Sequence, residues 1–326
     1  MLPKVSRTFA LCIRLLPKDL EYPVLLAYLL CRIADTIEDT ADLSGARKQE
    51  LLTMFSVSLE QSGPVPTALQ EFFARRSNDE ERLAARTDAV LREYCSLPET
   101  YRQRIRPWVQ EMCSGMGYFA AAYDLERQKE TRALPTVSEL ERYCYYVAGT
   151  VGHMLTELYP LGRPAIDEGR KARLKSLATS FGLGLQLTNI IKDVGDDKKR
   201  GWIFVPEQLC EEAGIKPHEL HDETVRMKAR SVMLRLIDKA ESHLKDALDY
   251  CTSLPRGQYG IRLFCLTSLF FAIRTLRLAR RDERLLDPAH KIKISRRQVY
   301  WTVSLARCFA PSNGLVRAYY RHLSKA

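Results

Sequence analysis

Apolar residues return at helical spacing along almost the whole chain. Between 224 and 251, Val225, Met227, Val232, Leu234, Leu236, Ile237, Ala240, Leu244, Ala247 and Leu248 return with a helical period, the mark of an amphipathic helix. Comparable patterns predict helices over 22–40, 84–95, 107–125, 137–158, 172–193, 262–281 and 295–308. Pro23 lies near the start of the first of these, where proline is tolerated. Breaks fall at 62–66, 159–160, 201–206 and 253–257, each too short to link separate domains. No repeat of fixed period and no strand alternation competes with the helical reading. The expectation is an all-α fold, a single domain over 1–326.

Composition narrows the class. A chain of 326 residues with 46% apolar and 28% charged residues has the makings of a sizeable core, which excludes disordered and collagen-like classes. Nine cysteines form no CxxC pair and are odd in number, so they read as buried thiols of a reducing, cytoplasmic compartment rather than as a zinc site. The apolar stretches 24–34 and 263–273 are half the roughly 20 residues a membrane span needs, and both read as core helices. The N-terminus is basic and mildly amphipathic, and a transit peptide is the lesser reading of it.

The net charge of +10 is uneven. The last 56 residues hold 13 basic and three acidic residues, equal to the whole excess. Such a region suits nucleic acid, an anionic membrane surface or a phosphorylated ligand. No nucleic-acid-binding motif accompanies it, so nucleic acid is not an expected partner. Val299, Trp301, Val303 and Leu305, then Leu315, Val316, Tyr319, Tyr320 and Leu323, lie beside Arg307, Arg317, Arg321 and Lys325. Peripheral docking on a membrane is one reading of these residues, and a helix that closes the bundle is the other.

Two acidic groups sit at the ends of apolar runs. Asp35, Glu38 and Asp39 follow LLAYLLCRIA, and Asp193, Asp196 and Asp197 follow GLGLQLTNII. In each, the i, i+3, i+4 spacing puts all three carboxylates on one helix face, which repels itself unless cations compensate. Each alone is compatible with a solvated helix end. Together, hard oxygen ligands on two apolar helices suit Mg²⁺, which binds through one or two carboxylates plus substrate phosphates. Two such faces opposed across a bundle would grip a diphosphate leaving group, with the apolar remainder keeping water from a carbocation.

These residues resemble the squalene/phytoene synthase family, the head-to-head prenyl transferases. The similarity runs through SRTF (6–9), YLLCRIADTIED (28–39), YCYYVAGTVG (143–152), QLTNIIKDVGDD (186–197) and RGWIFVP (200–206), in that order. The resemblance implies an isoprenoid-synthase helical bundle with a central cavity that takes two prenyl diphosphates. It implies Mg²⁺ on Asp35 and Asp39, and on Asn189, Asp193 and Asp197. Arg7, Arg32, Lys192 and Arg200 would then meet diphosphate oxygens, with Tyr28 and Gln186 lining the same site. Tyr143 matches a tyrosine beside the departing diphosphate, and 198–206 would be a flap. Packing is the simpler use of Tyr145 and Tyr146, and close helix approach that of Gly149 and Gly152.

The segments GIRLFCLTSLFFAIRTL and KIKISRRQVY look like those of squalene synthases. That similarity implies condensation of two farnesyl diphosphates through presqualene diphosphate, with reduction by NADPH held by Lys291, Lys293 and Arg296, and Arg297 nearby. A solvated basic face is the alternative for those four. Phytoene or dehydrosqualene synthesis without reduction is the first alternative for the chain. Val5 stands where some dehydrosqualene synthases carry His, which counts against that product. A class I terpene cyclase and a non-catalytic assembly factor are the more distant alternatives, and the four retained aspartates argue against the factor.

Overall fold

The computed structural model describes residues 11–60, 66–74, 78–124, 132–199 and 201–325. Its first helices are α1 (Lys18–Asp39), α2 (Gly45–Val57), α3 (Thr67–Phe73), α4 (Asp79–Ala84), α5 (Thr87–Ser96) and α6 (Glu99–Asp124). They are followed by α7 (Val137–Cys144), a π-helical turn at Tyr145–Gly149, α8 (Thr150–Leu158) and α9 (Glu168–Lys199). The last are α10 (Glu207–Glu212), α11 (Arg226–Ser253), α12 (Tyr259–Arg281), α13 (Arg296–Phe309) and α14 (Asn313–Lys325). Among the described residues the only strands are β1 (Arg132–Ala133) and β2 (Trp202–Ile203), paired in parallel. The fold is all-α, as the periodicity predicts.

The chain divides into two compact units. The first takes Met1–Glu126 and Thr150–Asp167, the second Arg127–Gly149 and Glu168–Ala326. In the first, α6 packs on α1, α2 and α8. The α1 run that reads as a core helix is one: Leu20, Leu30, Ile33, Ala34 and Ile37 are fully enclosed. Asp19 and Glu21 in its first turn favour the positive end of the helix dipole. Asp19 also takes a two-pronged hydrogen bond from Arg163 at 2.8 and 2.7 Å.

In the second unit, α9 lies along α11, and both pack on α12. The predicted apolar stretch 263–273 is buried in α12. Arg262 at its start is wholly enclosed and donates to the carbonyls of Cys251, Leu254 and Ala310 and to Asn313 Oδ1. It thereby ties the C-terminal ends of α11 and α13 together. All nine thiols are free; seven are buried, and Cys95 and Cys308 are exposed. Among the described residues, no helix is long and apolar enough to cross a membrane.

Three differences from the sequence pattern have physical reasons. The predicted helix 137–158 contains a π-turn, because α9 approaches it backbone to backbone. A Cβ on Gly182 would lie 2.4 Å from the Ala148 carbonyl oxygen, so only glycine fits there. Tyr145 and Tyr146, on that turn, are half-buried and meet each other edge to face at 5.4 Å instead of filling the core. Finally, α2 has a weak apolar stripe because Lys48 takes a buried position within it.

Candidate active site

In the first unit the cluster is built on the last turns of α1. Arg32 lies 3.5 Å from Asp35 and 3.8 Å from Glu80, which α4 brings in. Burial opposes the Arg32 charge, but Asp35 and the Tyr28 hydroxyl outweigh it and hold the guanidinium above its usual range. Asp35 behaves oppositely. Desolvation raises its carboxyl to about 7, Arg32 pulls it down, and Asp39 and Glu80 push it up. Its side chain nonetheless keeps 34% of its exposure, so a ligand can reach it. Asp39 is exposed one turn on, and Glu38 is buried. Tyr28, expected at this site, is half-buried against Arg32. Glu80 had no signal in the sequence, because nothing in its neighbourhood marks it as the second carboxylate on Arg32.

In the second unit, Gln186, Asn189, Asp193 and Asp197 follow one another along one side of α9, while Leu187, Ile190, Ile191 and Val194 are buried. Lys192 pairs with Asp193. Asp196 receives Lys291 at 2.6 Å and Lys199 at 3.2 Å, and its carboxyl lies below the usual range chiefly through the Lys291 hydrogen bond. Lys291 comes so close because the chain at 287–288 rests on α9. A Cβ on Gly195 would sit 2.9 Å from Pro288 Cα. That glycine, in the middle of an acidic helical motif, was the available signal of a close approach.

The segment after α9 is fixed at its base. Trp202 and Ile203 pair with Arg132 and Ala133, and Glu207 N donates to Leu134 O at 2.8 Å. Tyr143 stacks on Phe204 at 5.0 Å, and Phe204 on Trp202 at 5.4 Å. Tyr143 thus joins the expected flap to the π-turn. Beside this stack is a small crevice lined by Asp197, Trp202, Phe204 and His221 among others. His221 was not singled out in the sequence. Its Nδ1 donates to the Leu286 carbonyl at 2.7 Å, which fixes the tautomer, and burial lowers its pKa. Behind Tyr143, Glu141 takes hydrogen bonds from Lys239 at 2.8 Å and His243 at 2.9 Å.

Arg7 and Arg200 lie outside the described residues. Lys293 and Arg296 are exposed and engage neither acidic cluster in any described ion pair. Ser295 caps α13 directly before Arg296, so cations and a helix N-terminus adjoin there, and both suit phosphate. Lys291, by contrast, is committed to Asp196.

The donor set suits magnesium: it is all oxygen, from carboxylates and one amide. Among the described residues, no three acidic, histidine or cysteine side chains converge to hold a metal by themselves.

The squalene/phytoene synthase family matches residues 2–298. The chain belongs to that family. Two relatives are named squalene synthase. The one from Schizosaccharomyces pombe is 29% identical over 294 residues, with 90% of this chain and 61% of the relative covered. The one from Eremothecium gossypii is 30% identical over 325 residues, with 100% and 70% covered. This family member therefore spans between about three fifths and seven tenths of those relatives' length. Its fold matches a solved structure of TcSQS with the ligand BPH1237 at a TM-score of 0.81 and 26% identity, covering 99% of this chain and 89% of that one. A dehydrosqualene synthase structure is similar at a TM-score of 0.62 and 21% identity, a likeness of fold alone.

Proposed function

We propose that this squalene/phytoene synthase family member condenses two molecules of farnesyl diphosphate head to head. The product passes through presqualene diphosphate to squalene, with Mg²⁺ required and NADPH as reductant. The observation that carries the reading is that both helices bearing the family's acidic motifs offer reachable oxygen ligands with a cation alongside. Relatives named squalene synthase support the choice of product.

Asp35 and Asp39 on α1, and Asn189, Asp193 and Asp197 on α9, are the residues that would hold magnesium. Bound there, magnesium would supply stabilisation of the charge that grows on a diphosphate as its allylic C–O bond breaks. Arg32 beside Asp35, and Lys192 beside Asp193, would each add a donor to diphosphate oxygens. The leaving-group side is thereby favoured in the transition state more than in the ground state. Tyr143, its ring held by Phe204, offers a phenol that donates a hydrogen bond to the departing diphosphate. The Trp202–Phe204–Tyr143 stack would screen a carbocation on that side from water. NADPH would supply the hydride of the second half-reaction, and Lys293 and Arg296 are the exposed cations that would hold its phosphates.

Product analysis of the purified chain tests this. Farnesyl diphosphate with Mg²⁺ and NADPH is expected to give squalene, and without NADPH to stop at presqualene diphosphate or unreduced products. A product pattern indifferent to NADPH overturns the reductive half. Preferential turnover of geranylgeranyl diphosphate overturns the substrate.

A further inference from the structure

The basic end of the chain does not present the face its sequence suggests. Val303, Val316, Tyr319, Tyr320 and Leu323 are all buried in the second unit and are unavailable to any partner. Besides Arg296 in its first turn, α13 exposes Arg297, Tyr300, Trp301, Ser304, Arg307 and Cys308, which recur every three to four residues and so share one side. Tyr300 is 73% and Trp301 56% exposed, and Leu315 just beyond the helix is 48% exposed. Tyr259, 41% exposed, donates to the Arg307 carbonyl at 3.0 Å and so adjoins the same end of α13. Elsewhere among the described residues, large exposed apolar side chains are scattered singly, which calls for no explanation.

The charge around these rings has one sign. After Asp287 the sequence contains no Asp or Glu at all, and eight Lys or Arg. Two of those eight cations pair with acids on other elements: Arg317 with Asp249 at 2.8 Å, and Lys291 with Asp196. Arg297 and Arg307 enter no described ion pair. Adjacent Tyr and Trp flanked by arginine is the composition that sits at the headgroup level of a bilayer, rings in the interface and cations on the phosphates. A uniformly positive face complements a uniformly negative leaflet better than it does the mixed charges of a typical protein surface.

We propose that the Arg297–Tyr300–Trp301–Arg307 face of α13, extended by Leu315, docks the protein on an anionic phospholipid surface. The contact is peripheral and independent of which diphosphate the chain consumes.

Co-sedimentation of the full chain with phosphatidylcholine vesicles, with and without phosphatidylserine, tests it. Binding is expected to rise with phosphatidylserine and fall as salt is raised. Each cation near such a surface raises partitioning by roughly fivefold, so Arg297→Gln with Arg307→Gln should lower it about 25-fold. Tyr300→Ser with Trp301→Ser should lower it at least about tenfold. All four positions are exposed, and a circular-dichroism melt matching the parent shows that each variant is folded. Binding that ignores phosphatidylserine, or variants that bind like the parent, overturns the proposal. So does retention on duplex nucleic acid, or self-association through this face, without vesicle binding.

Discussion

The two acidic motifs can be laid over one another: Asp35-Thr36-Ile37-Glu38-Asp39 against Asp193-Val194-Gly195-Asp196-Asp197. Their surroundings are nearly opposite. Asp35 is half-buried, shares one arginine with Glu80, and is raised to about 7 by desolvation. Around Asp193 and Asp196 there are three lysines, and Asp196 is driven below its ordinary range. The third position is a buried isoleucine in one helix and, in the other, a glycine pressed against the backbone at Pro288. At the fourth, Lys48 donates to the carbonyl of Glu38, while Lys291 donates to the carboxylate of Asp196. One spacing therefore serves a helix whose charge is curbed by burial and another whose charge is curbed by cations.

The largest expected effect treats the two alike. If both motifs bind metal and diphosphate, Asp35→Asn and Asp193→Asn each lower turnover about 10²–10³-fold at fixed Mg²⁺. Steady-state kinetics across a range of Mg²⁺ reads this. Full activity in Asp193→Asn would break the pairing and leave only α1 as a ligand helix.

Next in size are two changes in how the helices are braced. Lys48→Ala removes a buried ammonium that donates to the Glu38 carbonyl and is expected to cost about 2–3 kcal/mol. Gly195→Ala drives a Cβ into Pro288 backbone, which yields less readily than a side-chain tip, and is expected to cost about 1–3 kcal/mol. Chemical denaturation measures both. If Gly195→Ala is neutral, the 287–291 segment is not seated on α9.

The shared spacing was legible in the sequence, and so were eight of the helices, because carboxylate spacing and apolar periodicity are properties of one element. The differences were not. Glu80, Lys48 and His221 act on elements other than their own, and no pattern within one element records a partner on another. The same limit misdrew the basic face. Val299, Trp301, Val303 and Leu305 alternate by two, whereas a helix exposes 297, 300, 301, 304 and 308. Nor did periodicity reveal the π-turn, which owes its place to Gly182 on another helix. Burial of Lys48 hid α2 by putting a charge where the pattern needs an apolar residue.

Burial of Asp35 has a pH signature. Its carboxyl titrates near 7 in the folded chain and near 4 when unfolded. Between those values the folded state holds a proton that the unfolded state releases, so stability falls as pH rises through that window and levels off above it. Asp35→Asn removes the penalty. With a third of the side chain open to water, the expected gain is about 1–2 kcal/mol at pH 8 without metal, vanishing near pH 4. Thermal melts across pH measure it. A gap between parent and Asp35→Asn melting temperatures that stays constant from pH 4 to pH 8 would overturn it.

The smallest effect tests whether the lysines around α9 are bracing or merely balance charge. Lys291 and Asp196 are 50% and 28% exposed, so their pair gains little in high dielectric and is screened by salt. A double-mutant cycle with Lys291→Met and Asp196→Asn should give a coupling of about 0.5 kcal/mol at low salt, fading as salt rises. That is several times less than the loss expected from Lys48→Ala at the matching place on α1. The comparison thus predicts unequal lysines in equivalent roles: one enclosed and structural, the other exposed and replaceable for stability. A Lys291–Asp196 coupling as large as the Lys48 effect, and insensitive to salt, would mean that the 287–291 segment shields the pair from water and that both motifs are braced by buried cations after all.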